Sequence, residues 1–191
     1  MKEFIDTYKQ TGNHSQNGEM GIISECIKRI KPKLKVAVEF GAADGFFCSN
    51  TAELPQGWKR HLYDVAASGE VEQKEITEGN VNELPKCSVL SIDIDGNDRN
   101  IWKAYKGTPA IVVIEINSSI PPLSDQPVSD YQRGTAYKPM VELGIEKGYF
   151  LLGHTGNLIF VLNEYRELFP EIEGDGIDNV DKYFDTSWLG L

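Results

Sequence analysis

Three stretches set carboxylates directly after runs of Val, Ile and Leu: Val36-Ala-Val-Glu-Phe-Gly-Ala-Ala-Asp-Gly45, Val89-Leu-Ser-Ile-Asp-Ile-Asp-Gly-Asn-Asp98 and Ala110-Ile-Val-Val-Ile-Glu-Ile-Asn-Ser-Ser119. Near-continuous branched apolar runs read as parallel strands buried on both faces, and open α/β sheets bind ligands beyond the carboxyl ends of such strands. Asp93, Asp95, Glu115 and Asn117 are therefore expected to converge on one cleft, with Asp93 and Asp95 on one face of an extended strand. Such an oxygen set suits Mg2+ or another hard divalent cation. Without a cation, carboxylates this close repel, so one should hold a proton with a raised pKa or meet a substrate amine. Asp93 and Asp95 are the candidates for a general base or a metal-held orienter. His154, beside a predicted hairpin turn, is a further candidate base, its plainer role being that of a polar turn residue. Asp93-Ile-Asp-Gly-Asn-Asp98 lacks the downstream glutamate and flanking helices of a calcium-binding EF-hand.

A glycine-bearing loop also invites a ligand. Glu39-Phe-Gly41-Ala-Ala-Asp44-Gly45 follows an expected strand and precedes an expected helix, where glycines permit a tight turn and close backbone approach. Its carboxylates would repel a pyrophosphate and accept a hydrogen bond from an ammonium, so the loop suits a cofactor with an amino-acid part. The alternative is an ordinary strand-to-helix turn. Asp64, at the expected end of the next strand, stands where an acidic side chain accepts hydrogen bonds from ribose hydroxyls; the alternative is a solvated strand-end carboxylate.

The elements that must position these groups follow from periodicity. Apolar residues at Ile22, Ile23, Cys26, Ile27 and Ile30 mark an amphipathic helix over 18–30. Strands are predicted over 34–40, 58–65, 89–94 and 110–116, with a weak one over 70–77, and helices over 46–54, 100–105 and 136–147. Residues 121–132, rich in Pro, Ser and Asp, read as a functional loop, and 149–153 with 158–163 as a closing hairpin. Strands alternating with helices and ending in a hairpin define an α/β class: a three-layer sandwich around a mostly parallel sheet with a C-terminal antiparallel hairpin.

The chain has 191 residues, 40% of them hydrophobic, which suffices for one core, and no compositional break divides it into two domains. A net charge of −10, with no Lys/Arg block, argues against a nucleic-acid partner. No signal-like apolar segment opens the chain and no apolar run approaches the roughly 20 residues of a membrane span, so a soluble cytoplasmic protein is expected. Cys26, Cys48 and Cys87 form no CxxC pair and are expected as reduced, packed thiols. Trp58, Trp102 and Tyr105 are expected to pack, the acidic stretch 171–181 to be a solvated loop, and Trp188 with Leu189 to dock on the core or on a second copy in a homo-oligomer.

Taken in order, Ser15-Gln-Asn-Gly-Glu19, Val38-Glu-Phe-Gly-Ala-Ala-Asp-Gly45 with Ser49-Asn-Thr51, Gly57-Trp-Lys59, Leu90-Ser-Ile-Asp-Ile-Asp-Gly-Asn-Asp98 with Trp102, and Val113-Ile-Glu-Ile-Asn117 resemble the FkbM-like S-adenosylmethionine-dependent methyltransferases. The resemblance spans 15–163 and implies a Rossmann-like class I fold. It implies S-adenosylmethionine held by Glu39, Gly41, Ala42, Asp44 and Gly45, its ribose at Asp64 and its methyl group facing Asp93 and Asp95. It further implies O-methylation of a hydroxyl on a saccharide or other small molecule. Two departures stand out. Gly18-Glu19-Met20 replaces the usual Gly-Glu-Asp, and only 65–71 separate the second and third strands, too few for the usual helix. The adenine side is then open or rebuilt from Glu75, Thr77, Asn80 and Asn82. A catalytically silent binding or assembly protein of the same fold is the alternative, and a metal-dependent hydrolase or glycosyltransferase built on Asp-x-Asp a third reading.

Overall fold

The three apolar runs become the centre of a seven-stranded sheet, because side chains that alternate to both sides of a strand are all apolar only where both faces are covered. The computed structural model describes residues 2–10, 14–66, 68–125 and 134–186. In chain order the elements are α1 (Lys2–Tyr8), α2 (Glu19–Ile30), β1 (Val36–Phe40), β2 (Lys59–Asp64), β3 (Glu72–Gln73), β4 (Val89–Ile92), α3 (Asp98–Ala104), β5 (Ile111–Glu115), α4 (Tyr137–Glu146), β6 (Tyr149–His154), β7 (Asn157–Leu162) and α5 (Val180–Tyr183). The strand order is β3-β2-β1-β4-β5-β7-β6. All neighbours from β3 to β5 are parallel, whereas β7 is antiparallel to both β5 and β6. This is the expected Rossmann-like α/β sandwich with a C-terminal antiparallel pair.

Ring contacts show how the two faces are covered. Trp102 of α3 lies 5.7 Å from Tyr149 and 5.0 Å from Phe160, and an added side chain at Gly144 of α4 would strike the same Phe160 ring. On the opposite face Phe150 meets Phe169 at 5.8 Å, and Phe169 meets Phe4 of α1 at 6.1 Å. Val89, Leu90, Ile111, Val112 and Ile114 are fully buried between these layers, each contributing roughly 1.5–3 kcal/mol by leaving water. Trp102 and Tyr105 are buried and Trp58 packs against the core, as expected of packing residues.

Two connections depart from expectation. The helix expected over 46–54 does not form; that stretch is a series of turns. Ser49, Asn50 and Thr51 are residues whose side chains and backbone compete for local hydrogen bonds, and here the buried Glu39 carboxylate captures all three. Asp44 meanwhile accepts the Phe46 and Phe47 amides, and Cys48 takes φ +56°, which no helix admits. The expected third strand shrinks to Glu72–Gln73, because Asn80 turns the chain by accepting the Thr77 amide and donating to the Glu75 carbonyl. No helix joins β2 to β3 among the described residues, in keeping with the short 65–71 connection.

The loop expected over 121–132 lies partly, and Trp188 with Leu189 wholly, outside the described residues. No helix among the described residues is long and apolar enough to cross a membrane. The three cysteines are unpaired.

Candidate functional site

From β1 the chain moves outward to β2 and β3, then returns to the other side of β1 as β4, so the direction of winding reverses between β1 and β4. The loops leaving two neighbouring strands on opposite sides of such a reversal part from one another and open a crevice. A cleft of about 360 Å3 lies there, within the range of small-molecule sites. Phe40 at the end of β1, Gly41 and Phe47 from the loop after it, Tyr63 and Asp64 of β2 with Val65 just beyond, Ile76 beyond β3, and Asp93 and Asp95 beyond β4 all line it. Its mouth is apolar: Phe47 is 75% and Val65 64% exposed.

Gly41 is required by the fold itself. It sits at φ +76°, and a Cβ there would overlap the Asp93 carbonyl oxygen. The close approach comes from the ladder, for the Asp93 amide donates to the Phe40 carbonyl at 3.1 Å while the Gly41 and Ala42 amides share the Tyr63 carbonyl.

Glu39, Ser91 and Val113 lie side by side across β1, β4 and β5, so Asp93 and Glu115, two positions further along their strands, extend the same face. Asp93, Asp95 and Glu115 each bring a carboxylate oxygen to within 4.8 Å of the others. Alternation explains Asp93 and Glu115 but not Asp95. The strand ends at Ile92, and Asp95 returns to the cluster through a left-handed turn at φ +58° followed by Gly96 at +151°. The buried Asp98 carboxylate holds that turn by accepting the Ile94 amide at 2.9 Å and the Gly96 amide at 3.0 Å.

The cluster's charge is relieved by protonation. Burial raises the pKa of Asp93, and the charges of Asp98 and Asp95 raise it further; burial raises that of Glu115, followed by the charges of Asp93, Asp98 and Asp95. Both carboxyls are raised by burial and by each other's charge, so the pair holds a proton between them. Burial also raises Asp98, against the lowering effect of the backbone amides it accepts.

Other residues singled out by sequence stand elsewhere. Glu39 is 3% exposed, and its carboxylate accepts the Ser49 hydroxyl, the Asn50 amide and the Thr51 hydroxyl, so it braces the loop instead of facing the cleft. Arg60 lies 3.9 Å from Glu39 and donates to Ser49 and Thr51, completing the brace. Ala42 packs with Leu62 and Val71, Gly45 at φ +79° shapes the turn, and Asp44 caps it. Asp64 does line the cleft, while accepting the Ala43 amide at 2.8 Å and the Ala66 amide at 2.9 Å. The side-chain oxygen of Asn117 is taken by the Ser119 amide and hydroxyl, which turns it to its own loop and away from a ligand role in the cluster. Asn80 is committed to a local turn and Asn82 to the Ala104 carbonyl and the Lys106 amide beyond α3, leaving Glu75 and Ile76 on the cleft wall. His154 is fully buried at the end of β6, outside the cleft, with Ser118 2.9 Å from Nε2 and the Asp185 amide donating to Nδ1, so it does not reach the cleft as a base.

Sequence reasoning missed Phe47, Cys48, Tyr63 and Lys74 on the cleft wall, for nothing in their local pattern separates them from core or surface positions. It also left Glu19 without a role. This buried carboxylate, the first residue of α2, accepts the Asn17 amide, the Thr155 hydroxyl and the Asn157 amide group, tying α2 to the β6–β7 turn.

Fold and site together define an α/β protein with an apolar-mouthed, acid-floored cleft at the reversal of its sheet. No family model matches the chain, and no curated protein does.

Proposed function

We propose that the cleft binds S-adenosylmethionine and that the protein transfers its methyl group to a hydroxyl on a saccharide or another small molecule. The observation that carries this reading is the grouping, in one crevice beyond β1, β2 and β4, of the Gly41 backbone, the Asp64 carboxylate and the acid cluster. The residues present fit the cofactor in part. Each oxygen of Asp64 accepts one backbone amide and has capacity left for a ribose hydroxyl, and Phe47, Val65 and Ile76 offer apolar cover for a planar base. Glu39 is fully engaged, so the ammonium falls to Asp93 and Asp95.

When bound, the cofactor supplies an electrophilic methyl group. The chain must then hold the acceptor oxygen in line with it and remove the hydroxyl proton. Asp93 or Asp95, the two carboxylates of the cluster that line the cleft, takes that proton. Asp93, Asp95 and Glu115 also form a three-carboxylate set for Mg2+, which would displace the shared proton.

A second reading, a catalytically silent protein of this fold, is favoured by one observation. With no helix between β2 and β3 among the described residues, the Val65 side of the cleft stands open to solvent. Calorimetric titration with S-adenosylmethionine and S-adenosylhomocysteine, repeated on Asp64→Ala, separates the two. Saturable one-to-one binding weakened by the substitution supports the cofactor site; no binding at millimolar ligand by folded protein overturns it.

A further inference from the structure

His154 ends β6 with its ring out of contact with solvent. Phe184 stacks on it, the centroids 4.6 Å apart and the planes within 5°, and Tyr137 stands edge-on to both rings. The Asp185 backbone amide donates to Nδ1 at 3.0 Å. A backbone amide cannot rotate its hydrogen away, so Nδ1 must present a lone pair. Burial pushes the imidazole down to about 4, against the opposing charge of Asp185, and the ring is neutral at pH 7. Its one hydrogen therefore sits on Nε2, and the contact with Ser118 at 2.9 Å is a donation from Nε2–H to Oγ.

Ser118 belongs to the loop that leaves β5 just beyond Glu115. Because Glu115 pairs with Asn157 of β7 and Leu158 pairs with His154 of β6, that loop arches over the start of β7 to reach the imidazole. One directed row of hydrogen bonds thus runs from the C-terminal segment through His154 into the loop beside the acid cluster. Lys9, which follows α1, lies 3.8 Å from the Asp185 carboxylate and tethers the segment from its other side.

We propose that Phe184 and Asp185 form a strap whose seat on His154 selects the Nε2–H tautomer and thereby fixes Ser118 and the loop that follows Glu115. His154 and Ser118 are positioning residues. The strap stands without the cofactor assignment; only its effect on a cleft ligand rests on that reading.

Full-length Asp185→Pro removes the donating amide, whereas Asp185→Ala keeps it and loses only the side chain. In 15N ring spectra at pH 7, wild type and Asp185→Ala are expected to show a single Nε2-protonated tautomer and unchanged Ser118 and Ser119 amide resonances. Asp185→Pro is expected to show tautomer mixing and displaced Ser118 and Ser119 resonances. His154→Asn supplies a second test: its side-chain oxygen replaces Nδ1 but nothing replaces Nε2, so the Asp185 amide should stay and the Ser118 amide should move. S-adenosylhomocysteine should bind Asp185→Pro weaker by about threefold or more than Asp185→Ala. If wild type does not bind this probe, the cofactor reading falls and the spectra alone judge the strap. An unchanged tautomer and Ser118 amide in Asp185→Pro, or equal displacement in Asp185→Ala, would overturn it.

Discussion

Replacing Asp93 by Asn should change how stability depends on pH. Burial and mutual repulsion raise Asp93 and Glu115 above their ordinary carboxylate range, so the folded chain holds a proton that the unfolded chain has already released above about pH 4.5. Where the folded state binds the extra proton, unfolding free energy falls as pH rises, by about 1.4 kcal/mol per pH unit per proton. Between pH 5 and 7 one such proton costs the wild type about 3 kcal/mol. Asp93→Asn removes one ionisable group and the largest charge acting on Glu115, and supplies an amide able to donate to it. The variant should therefore lose less stability over this window, gaining on wild type by about 1–3 kcal/mol from pH 5 to 7, or roughly 2–10 °C in Tm for a domain of this size. The buried neutral His154 acts in the opposite sense, because its pKa is depressed: it favours folding more as pH rises from about 4 to 6.5. Its contribution is common to both proteins and cancels in their difference. Urea unfolding at pH 5, 6, 7 and 8 measures the effect. Parallel stability curves would refute the claim that the cluster is protonated by its surroundings.

The same cluster predicts a metal effect: 10 mM MgCl2 should raise the wild-type Tm at pH 8 and leave it nearly unchanged at pH 5, where protons hold the sites, with Asp93→Asn losing the response; equal shifts at both pH values would point to nonspecific stabilisation. Gly41→Ala should cost about 3 kcal/mol or more in chemical denaturation, since it adds a left-handed strain and an overlap with the Asp93 carbonyl; a loss below about 1 kcal/mol would contradict that geometry. Glu39→Ala strands three buried donors and should destabilise by about 3 kcal/mol or more, while the folded fraction binds S-adenosylhomocysteine within about threefold of wild type. Loss of binding with stability retained would return Glu39 to the cleft.

Much of the architecture was legible because it is written in local patterns. Runs of buried branched residues fall on β1, β4 and β5 within two residues of the expected bounds, the 3.6-residue period over Ile22 to Ile30 becomes α2, and the C-terminal hairpin pairs as read. The departures differ in cause: the third strand is cut short by the local Asn80 turn, whereas 46–54 answers to a tertiary partner. The sequence predicts a helix over 46–54, but a carboxylate on a neighbouring strand, brought there by folding, offers Ser49, Asn50 and Thr51 better partners than helical carbonyls. That partner cannot be seen from the segment itself.

The candidate site divides along the same line. By itself the sequence determined that carboxylates end the central strands, because strand periodicity and the break at Gly96 are local properties. Only the tertiary structure decided which of them share a space. Asp93 and Glu115 meet through strand register, and Asp95 joins them only through a left-handed turn held by Asp98, while the oxygens of Glu39 and Asn117 are drawn off by nearer donors. His154 shows the difference most directly: its position at the hairpin was readable, but its burial, its tautomer and its partners on two distant segments arise from long-range packing. Hydrogen bonds between residues far apart in the chain depend on the whole fold, and no local pattern encodes them.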